Sequence, residues 1–336
     1  VTLRTGGRPV VQAMPVASSP VIDHARPDSY AEVTRRSERN AWRVDDVLPP
    51  GSALDLGCSF LPRLLLRPDE LTFLAASEQR ALNQIGGHAY VNLFCFVEEY
   101  IVADVLGHAT AAVFGDDARL RALLRFAEEE VKHQELFSRF RTLFCDLFPA
   151  VCPVVAGAAG VAAFVRSHHP LAVMLTTYHL ELATQHHYVA SIQAAQHEER
   201  LDPLFVSLLK HHWLEERQHA QIDALEIEAM GARLSDAEMS GVVDDYLKIV
   251  GAMDALLLEQ AELDAVSLAA MVAAPLSDGR RAAVTRAQHA AYRDMYARAS
   301  DAQGDDSFRE AQTSLDDHDP SDPATLTGAS ISAPPT

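Results

Sequence analysis

The sequence predicts an all-α protein: a four-helix bundle with additional flanking helices and a disordered acidic C-terminal tail. Three observations predict it. No segment alternates apolar and polar residues with period two for long enough to make a convincing strand. Long stretches place apolar residues three and four apart, between residues that start and stop helices. Of the 336 residues, 48% are apolar and 22% charged, enough to bury a large core. The length allows two domains, and one helical domain with ragged ends fits equally well.

Residues 1–50 are mixed, proline-punctuated and weakly periodic, and read as an extended or partly irregular N-terminal arm. The helical domain is expected over 51–300. It opens with an irregular segment, 51–66, packed on the core. Helix signals begin near Pro68-Asp69-Glu70 and run through Gly115, with Gly86-Gly87 as a point of kinking or interruption. Gly115-Asp116-Asp117 stops that run and caps a helix over 117–147 that ends at Pro149. Residues 147–165 carry no charge and approach membrane-span length. Pro149, Pro153, Gly157 and Gly160 interrupt them, so a buried loop and a short packed helix are expected instead.

His169-Pro170 opens a helix to about Gln196. Asp202-Pro203 supplies an N-cap and an N1 proline for a helix to about Met230, closed by Gly231. Ser235-Asp236-Ala237-Glu238 is a capping box for a helix to about Met271, and a last helix covers roughly Arg280–Ala299. Residues 301–336 hold eight acidic residues against Arg309 alone, with few large apolar groups. Burial there cannot offset the ordering entropy, so a disordered tail is expected.

Acidic residues outnumber basic ones 47 to 28, for a formal net charge of −19. Such a surface repels phosphate, which argues against nucleic acid and anionic membranes as partners. Only Lys132, Lys210 and Lys248 are lysines, a skew that with the many alanines points to a GC-rich bacterial genome. Cys58, Cys95, Cys145 and Cys152 are irregularly spaced and form no CxxC pair, which favours a reducing, cytoplasmic setting.

Four helical segments carry acidic or imidazole groups inside apolar sequence. The first holds Glu98 and Glu99, the second Glu130 and His133, the third Glu181, and the fourth His212, Glu216 and His219. Residues three and four apart share a helix face, so Glu130 projects with His133 and Glu216 with His219. His212 joins the latter pair, because i, i+4 and i+7 fall within about a 60° arc. A Glu on each of two helices plus Glu-x-x-His on each of two others is the ligand set of a dinuclear iron or manganese site in a four-helix bundle. Carboxylates are hard, anionic and able to bridge two metal ions, while imidazole adds a neutral donor. Glu-x-x-His alone is a weak signal. Its weight comes from the order Glu, Glu-x-x-His, Glu, Glu-x-x-His along successive helices.

Glu98 lies close to the apolar face of Val91–Leu106 and Glu99 well away from it, so Glu98 is preferred as ligand and Glu99 as an outer group. Glu129, four residues before His133, competes with Glu130, which is preferred for its i,i+3 match. Thr184 and Tyr188, three and seven residues after Glu181, are candidate catalytic groups: Thr184 as a hydrogen-bond donor to bound oxygen, Tyr188 as a side chain within reach of the site. Asp223, four residues after His219, is a candidate to orient an imidazole. His186-His187 and His168-His169 read as surface or capping residues, and Phe94 and Cys95 as pocket wall or core.

With these residues the chain resembles the ferritin-like di-iron carboxylate proteins. It is most similar among them to the arylamine N-oxygenases, such as the p-aminobenzoate N-oxygenase family. Glu98, Glu130-x-x-His133, Glu181 and above all His212-x-x-x-Glu216-x-x-His219 carry the likeness, over about 65–270. Common di-iron bundles have two histidine ligands; the N-oxygenases add a third, four residues before the last Glu, where His212 stands. The resemblance implies two iron ions, with manganese an alternative, O₂ as cosubstrate, a small amine or aromatic substrate and an electron donor. It is compatible with a homodimer. Two other classes compete: a ferroxidase or iron-handling bundle, and a metal-free helical interaction protein. Hydroxylase, desaturase and ribonucleotide-reductase small-subunit readings stay open within the di-iron class, although the third histidine speaks against the last two.

Overall fold

In the computed structural model, which describes residues 29–196, 200–272 and 274–297, most of the described residues are helical. The first 28 residues, the tail and the final turn expected at 298–299 lie outside the described residues.

The segment expected to be a partly irregular arm contains α1 (Tyr30–Arg39) and α2 (Val44–Val47). Ser29 caps α1 by accepting from the Glu32 amide. Tyr30 donates to Glu226 Oε1 at 2.7 Å and Arg36 to Gln221 Oε1 at 3.0 Å. These polar ties, with the fully buried Val33, hold the helix to the bundle.

Residues 51–66 pack on the core as expected, with Phe60 and Leu61 fully buried. Asn83 holds them there: Oδ1 accepts from the Phe60 and Leu61 amides, and Nδ2 donates to the Leu61 carbonyl. Two single 3₁₀ turns, Arg63–Leu65 and Pro68–Glu70, lead into α3 (Ala76–Ala112). That helix runs unbroken through Gly86-Gly87, contrary to the expected interruption. The glycines serve packing. A Cβ on Gly87 would lie 2.9 Å from both Cβ and Cδ2 of Phe60, whose ring stacks on Phe205 at 5.2 Å.

Asp116 caps α4 (Asp117–Leu147) by accepting from the amides of Ala118 and Arg119. The stretch after it is only partly buried, with Val151 88% exposed, and Gly157 (φ 96°) turns the chain into the short α5 (Ala158–Val165). No described helix is long and apolar enough to cross a membrane. The chain continues through α6 (Pro170–Gln196), α7 (Pro203–Gly231), α8 (Asp236–Ala269) and α9 (Asp278–Ala297). Asp202 caps α7 ahead of Pro203, and the Ser235/Glu238 capping box opens α8. Among the described residues the one β feature is an isolated bridge between Ser59 and Leu201.

Helix α3 packs chiefly on α4 and α6 on α7, with α4 also meeting α7. Two helix pairs joined by one long crossover, here residues 148–169, make a ferritin-like four-helix bundle. Helix α1 lies over α4 and α7, while α8 covers α3 and α6 and carries α9.

Candidate metal centre

All seven ligand candidates are buried, each at most 2% exposed. Periodicity brings them together: Glu98 from α3, Glu130 and His133 from α4, Glu181 from α6, and His212, Glu216 and His219 from α7. The ligand atoms of six of them fall into two groups, within each of which all lie within 4.8 Å of one another. One is Glu98, His133, His212 and Glu216; the other is Glu130, His133, Glu216 and His219. His133 belongs to both, and so does Glu216. Its Oε1 is 2.6 Å from His212 Nε2 and 3.1 Å from His133 Nδ1, and its Oε2 is 3.4 Å from His219 Nδ1. A carboxylate so placed can bridge two cations. Glu181 lies outside both close groups but lines one cavity with Glu98, Glu130, Thr184, His212 and Glu216.

The donor set fits metal ions. Both carboxylate oxygens of Glu98 are buried without a hydrogen bond, and those of Glu130 have only ring nitrogens of the cluster beside them, with His219 Nδ1 2.8 Å from Oε1. Orphaned buried carboxylates cost several kcal/mol, on the order of 2–7 for even a neutral polar group, so each calls for a counter-charge. Oxygen and imidazole donors suit first-row divalent ions.

The charges of the cluster are arranged accordingly. Burial, then the neighbouring Glu130, push the Glu98 carboxyl well up. Burial pushes Glu130 up as well, but the imidazoles of His133 and His219 more than reverse this and hold it low. Both imidazoles are lowered by burial and raised further by surrounding carboxylates, to a net rise. His212 differs: burial, then the neighbouring His133, His219 and His187, drive it far down, so it stays neutral.

Sequence reasoning missed how the imidazoles are held. His133 Nε2 donates to Glu215 Oε2 at 2.8 Å, and His219 Nε2 donates to Glu129 Oε2 at 3.0 Å. With Nε2 so engaged, Nδ1 of each ring faces the carboxylates. Glu129 is therefore no competitor of Glu130 but a brace for the histidine of the opposite helix. Lys132 anchors Glu215, and Ser37 and Arg125 anchor Glu129. Burial would raise Glu129, yet His219, Ser37 and Arg125 bring it to about 2. The signal was present: Glu-Glu-x-x-His occurs twice, at 129–133 and 215–219. Trp42 also went unread; it stacks on the His133 ring at 5.9 Å, with Lys132 Nζ 4.1 Å from its centroid.

Other expectations need correction. Glu99 is exposed, so it is not part of the site. Asp223 is fully buried but leaves both oxygens without a hydrogen bond, and His219 Nε2 is held by Glu129 instead. Tyr188 packs on Trp213 at 4.9 Å and does not line the cavity. Seven residues return to the same face but advance about 10 Å along the helix, which carries its ring past the cluster. Thr184 does line the cavity, with its hydroxyl donating to the Leu180 carbonyl at 3.0 Å. His187 is a fully buried core residue 3.0 Å from the Tyr90 hydroxyl, not a surface one. Phe94 forms cavity wall and meets the His212 ring edge-on at 5.2 Å, while Cys95 is half-buried.

No protein-family model and no curated protein matches the chain. Among solved structures it is similar to an R2-like ligand-binding oxidase with an aerobically reconstituted Mn/Fe cofactor. Identity is 16%, the TM-score 0.43, and the match covers 87% of this chain and 98% of that one. A variant of such an oxidase with an Fe/Fe cofactor matches at 16% identity and TM-score 0.43, over 83% of this chain and 95% of its own. These likenesses are distant, and the chemistry of the site rests on its own residues.

Proposed function

We propose that the chain is a non-haem di-iron oxygenase, with Mn/Fe as an alternative metal pair, that uses O₂ to oxidise a small organic substrate. Its finer assignment is N-oxygenation of an amine, arylamine-like in shape. The observation that carries this reading is the third histidine. His212 Nε2 lies 2.6 Å from Glu216 and 3.4 Å from Glu98, inside the same group as His133. A ferroxidase does not need that extra imidazole.

A bound metal pair would supply two-electron reduction of O₂ at adjacent ions. Glu98, Glu130, His133, Glu181, His212, Glu216 and His219 would hold it. Glu129 and Glu215 fix the two braced imidazoles in the tautomer that leaves Nδ1 free to bind. Phe94, Val97, Ile101 and Leu180 form the apolar part of the cavity wall and keep water from the reacting centre. Oxidation of an amine to its hydroxylamine consumes one O₂, two electrons and two protons and yields one water, so an external electron donor is required.

The test is iron content and product formation together. The parent should hold two irons per chain and convert an aniline to its N-oxygenated product with matching O₂ uptake. Glu130→Ala and Glu216→Ala should lose most of the iron. Iron uptake with oxidation of Fe(II) but no organic product would favour the ferroxidase alternative.

A further inference from the structure

Beside the metal centre lies a second cavity, between α3, α5, α6, α8 and Tyr296 of α9. It adjoins the first. Val97 and Leu180 line both cavities, and each directly precedes a ligand candidate, Glu98 and Glu181. Phe94 closes the same partition, with its ring 5.2 Å from His212 and 6.4 Å from Tyr296.

The wall is apolar. Among the described residues lining it none is charged, and only Tyr100, Thr176 and Tyr296 bring polar side-chain atoms. Thr176 spends its hydroxyl on the Ala172 carbonyl at 2.9 Å. Burial raises both phenols, so they stay neutral. Val97, Val161, Met253 and Leu256 are the partly exposed residues of the wall, and the last three, on α5 and α8 away from the metal centre, mark its mouth.

We infer that this cavity binds the body of the substrate, and that the substrate is uncharged and mainly apolar, with its reacting group at the Val97–Leu180 partition. This rests on the oxygenase reading above and narrows its substrate class. An apolar ring or chain gains by leaving water for such a wall. A carboxylate there would be desolvated with no cation to meet it. An amine bearing an apolar substituent is therefore preferred over an aminobenzoate of the same ring.

The probes are 4-propylaniline and 4-aminobenzoate, which share ring and amine and differ in the tail. Binding to the iron-loaded chain is followed by calorimetry, beside iron content. 4-Propylaniline should bind at least about tenfold more tightly. Val161→Phe and Met253→Trp, at the partly exposed mouth, should each weaken it at least about tenfold with iron content unchanged. Equal or tighter binding of 4-aminobenzoate overturns the inference, as does failure of the iron-loaded parent to bind either probe. So does undiminished 4-propylaniline binding in a folded Met253→Trp, whatever the fate of Val161→Phe. A chain that holds no iron yet binds 4-propylaniline selectively refutes the oxygenase reading while supporting the pocket.

Discussion

Glu215 Oε2 stands 2.8 Å from His133 Nε2, so a carboxylate on α7 holds an imidazole on α4. The relation is reciprocal, since Glu129 on α4 holds His219 on α7 at 3.0 Å. Each Glu-Glu-x-x-His sequence thus provides one carboxylate to the shared cluster and one to the opposite helix. The two crossed braces pin α4 to α7 at the level where the ligands converge. They also fix which ring nitrogen faces the carboxylate cluster.

Glu215→Gln and Glu129→Gln should therefore weaken metal binding without removing a ligand. Loss of a carboxylate brace on a ligating histidine costs about 10- to 100-fold in affinity. Competition of each variant against a chelator, read as iron retained per chain, measures it. The double variant should lose more than either single one, because the braces act on different imidazoles. Retention equal to the parent in both single variants would show that the rings are held by packing alone.

The buried carboxylates imply opposite responses with and without metal. Burial and Glu130 raise the Glu98 carboxyl, so its charge opposes folding when no cation is bound. Glu98→Gln should melt at or above the parent in the iron-free state. With iron the order should reverse. A site weakened a hundredfold forfeits up to about 2.7 kcal/mol of ligand-linked stability. Thermal melts of both proteins with iron and with chelator give the four values. A variant that melts lower in both states would mean Glu98 stabilises the fold by another route.

The ligands were legible because a helix turns sequence spacing into a shared face. Glu130 with His133, and Glu216 with His219, needed only the 3.6-residue period. Glu98 and Glu99 separated by the same argument, and the structure buries the first and exposes the second. Glu215 was not legible in that way. It follows an apolar run like any flanking acid, and its partner sits 82 residues away on another helix. Tyr188 failed for the converse reason: its angular position fits the site, but its height along the axis does not. Helix α1 was hidden in a weakly periodic segment because it is fastened by Tyr30, Arg36 and Ser37, whose partners Glu226, Gln221 and Glu129 stand on other helices.

One of those fastenings should make stability depend on pH. Arg119 and His108 both contact Glu226, which is fully buried, as does Tyr30. Burial raises Glu226, but these partners bring it down to about 2. Burial lowers His108, but Asp104 and Glu226 more than reverse it, to about 9. A raised folded value means the His108 contribution is full below its unfolded value, about 6.5, and is lost as pH rises through about 9. It amounts to at most about 3 kcal/mol. His108→Asn should therefore melt lower than the parent near pH 6, with the gap closing toward pH 10. A gap independent of pH would show that the imidazole packs there uncharged.

His212 should govern the reaction more than it holds metal. Its Nε2 faces Glu98 and Glu216, whereas His133 and His219 face the cluster through Nδ1. Its other nitrogen is buried without a hydrogen bond, so it lacks the carboxylate brace the other two share. An unbraced neutral imidazole is the most weakly positioned ligand of the set. Removing it leaves two histidines and the carboxylates in place. His212→Ala should keep most of its iron, within about twofold of the parent, yet lose at least about 10-fold in amine oxidation. Its O₂ uptake per product should rise, because an opened position beside Phe94 admits water where the imidazole stood. Iron content, product yield and O₂ uptake measured on one preparation decide it. A variant equal to the parent in all three would remove His212 from the reaction and with it the ground for N-oxygenation. A variant that loses its iron would make His212 a structural ligand instead.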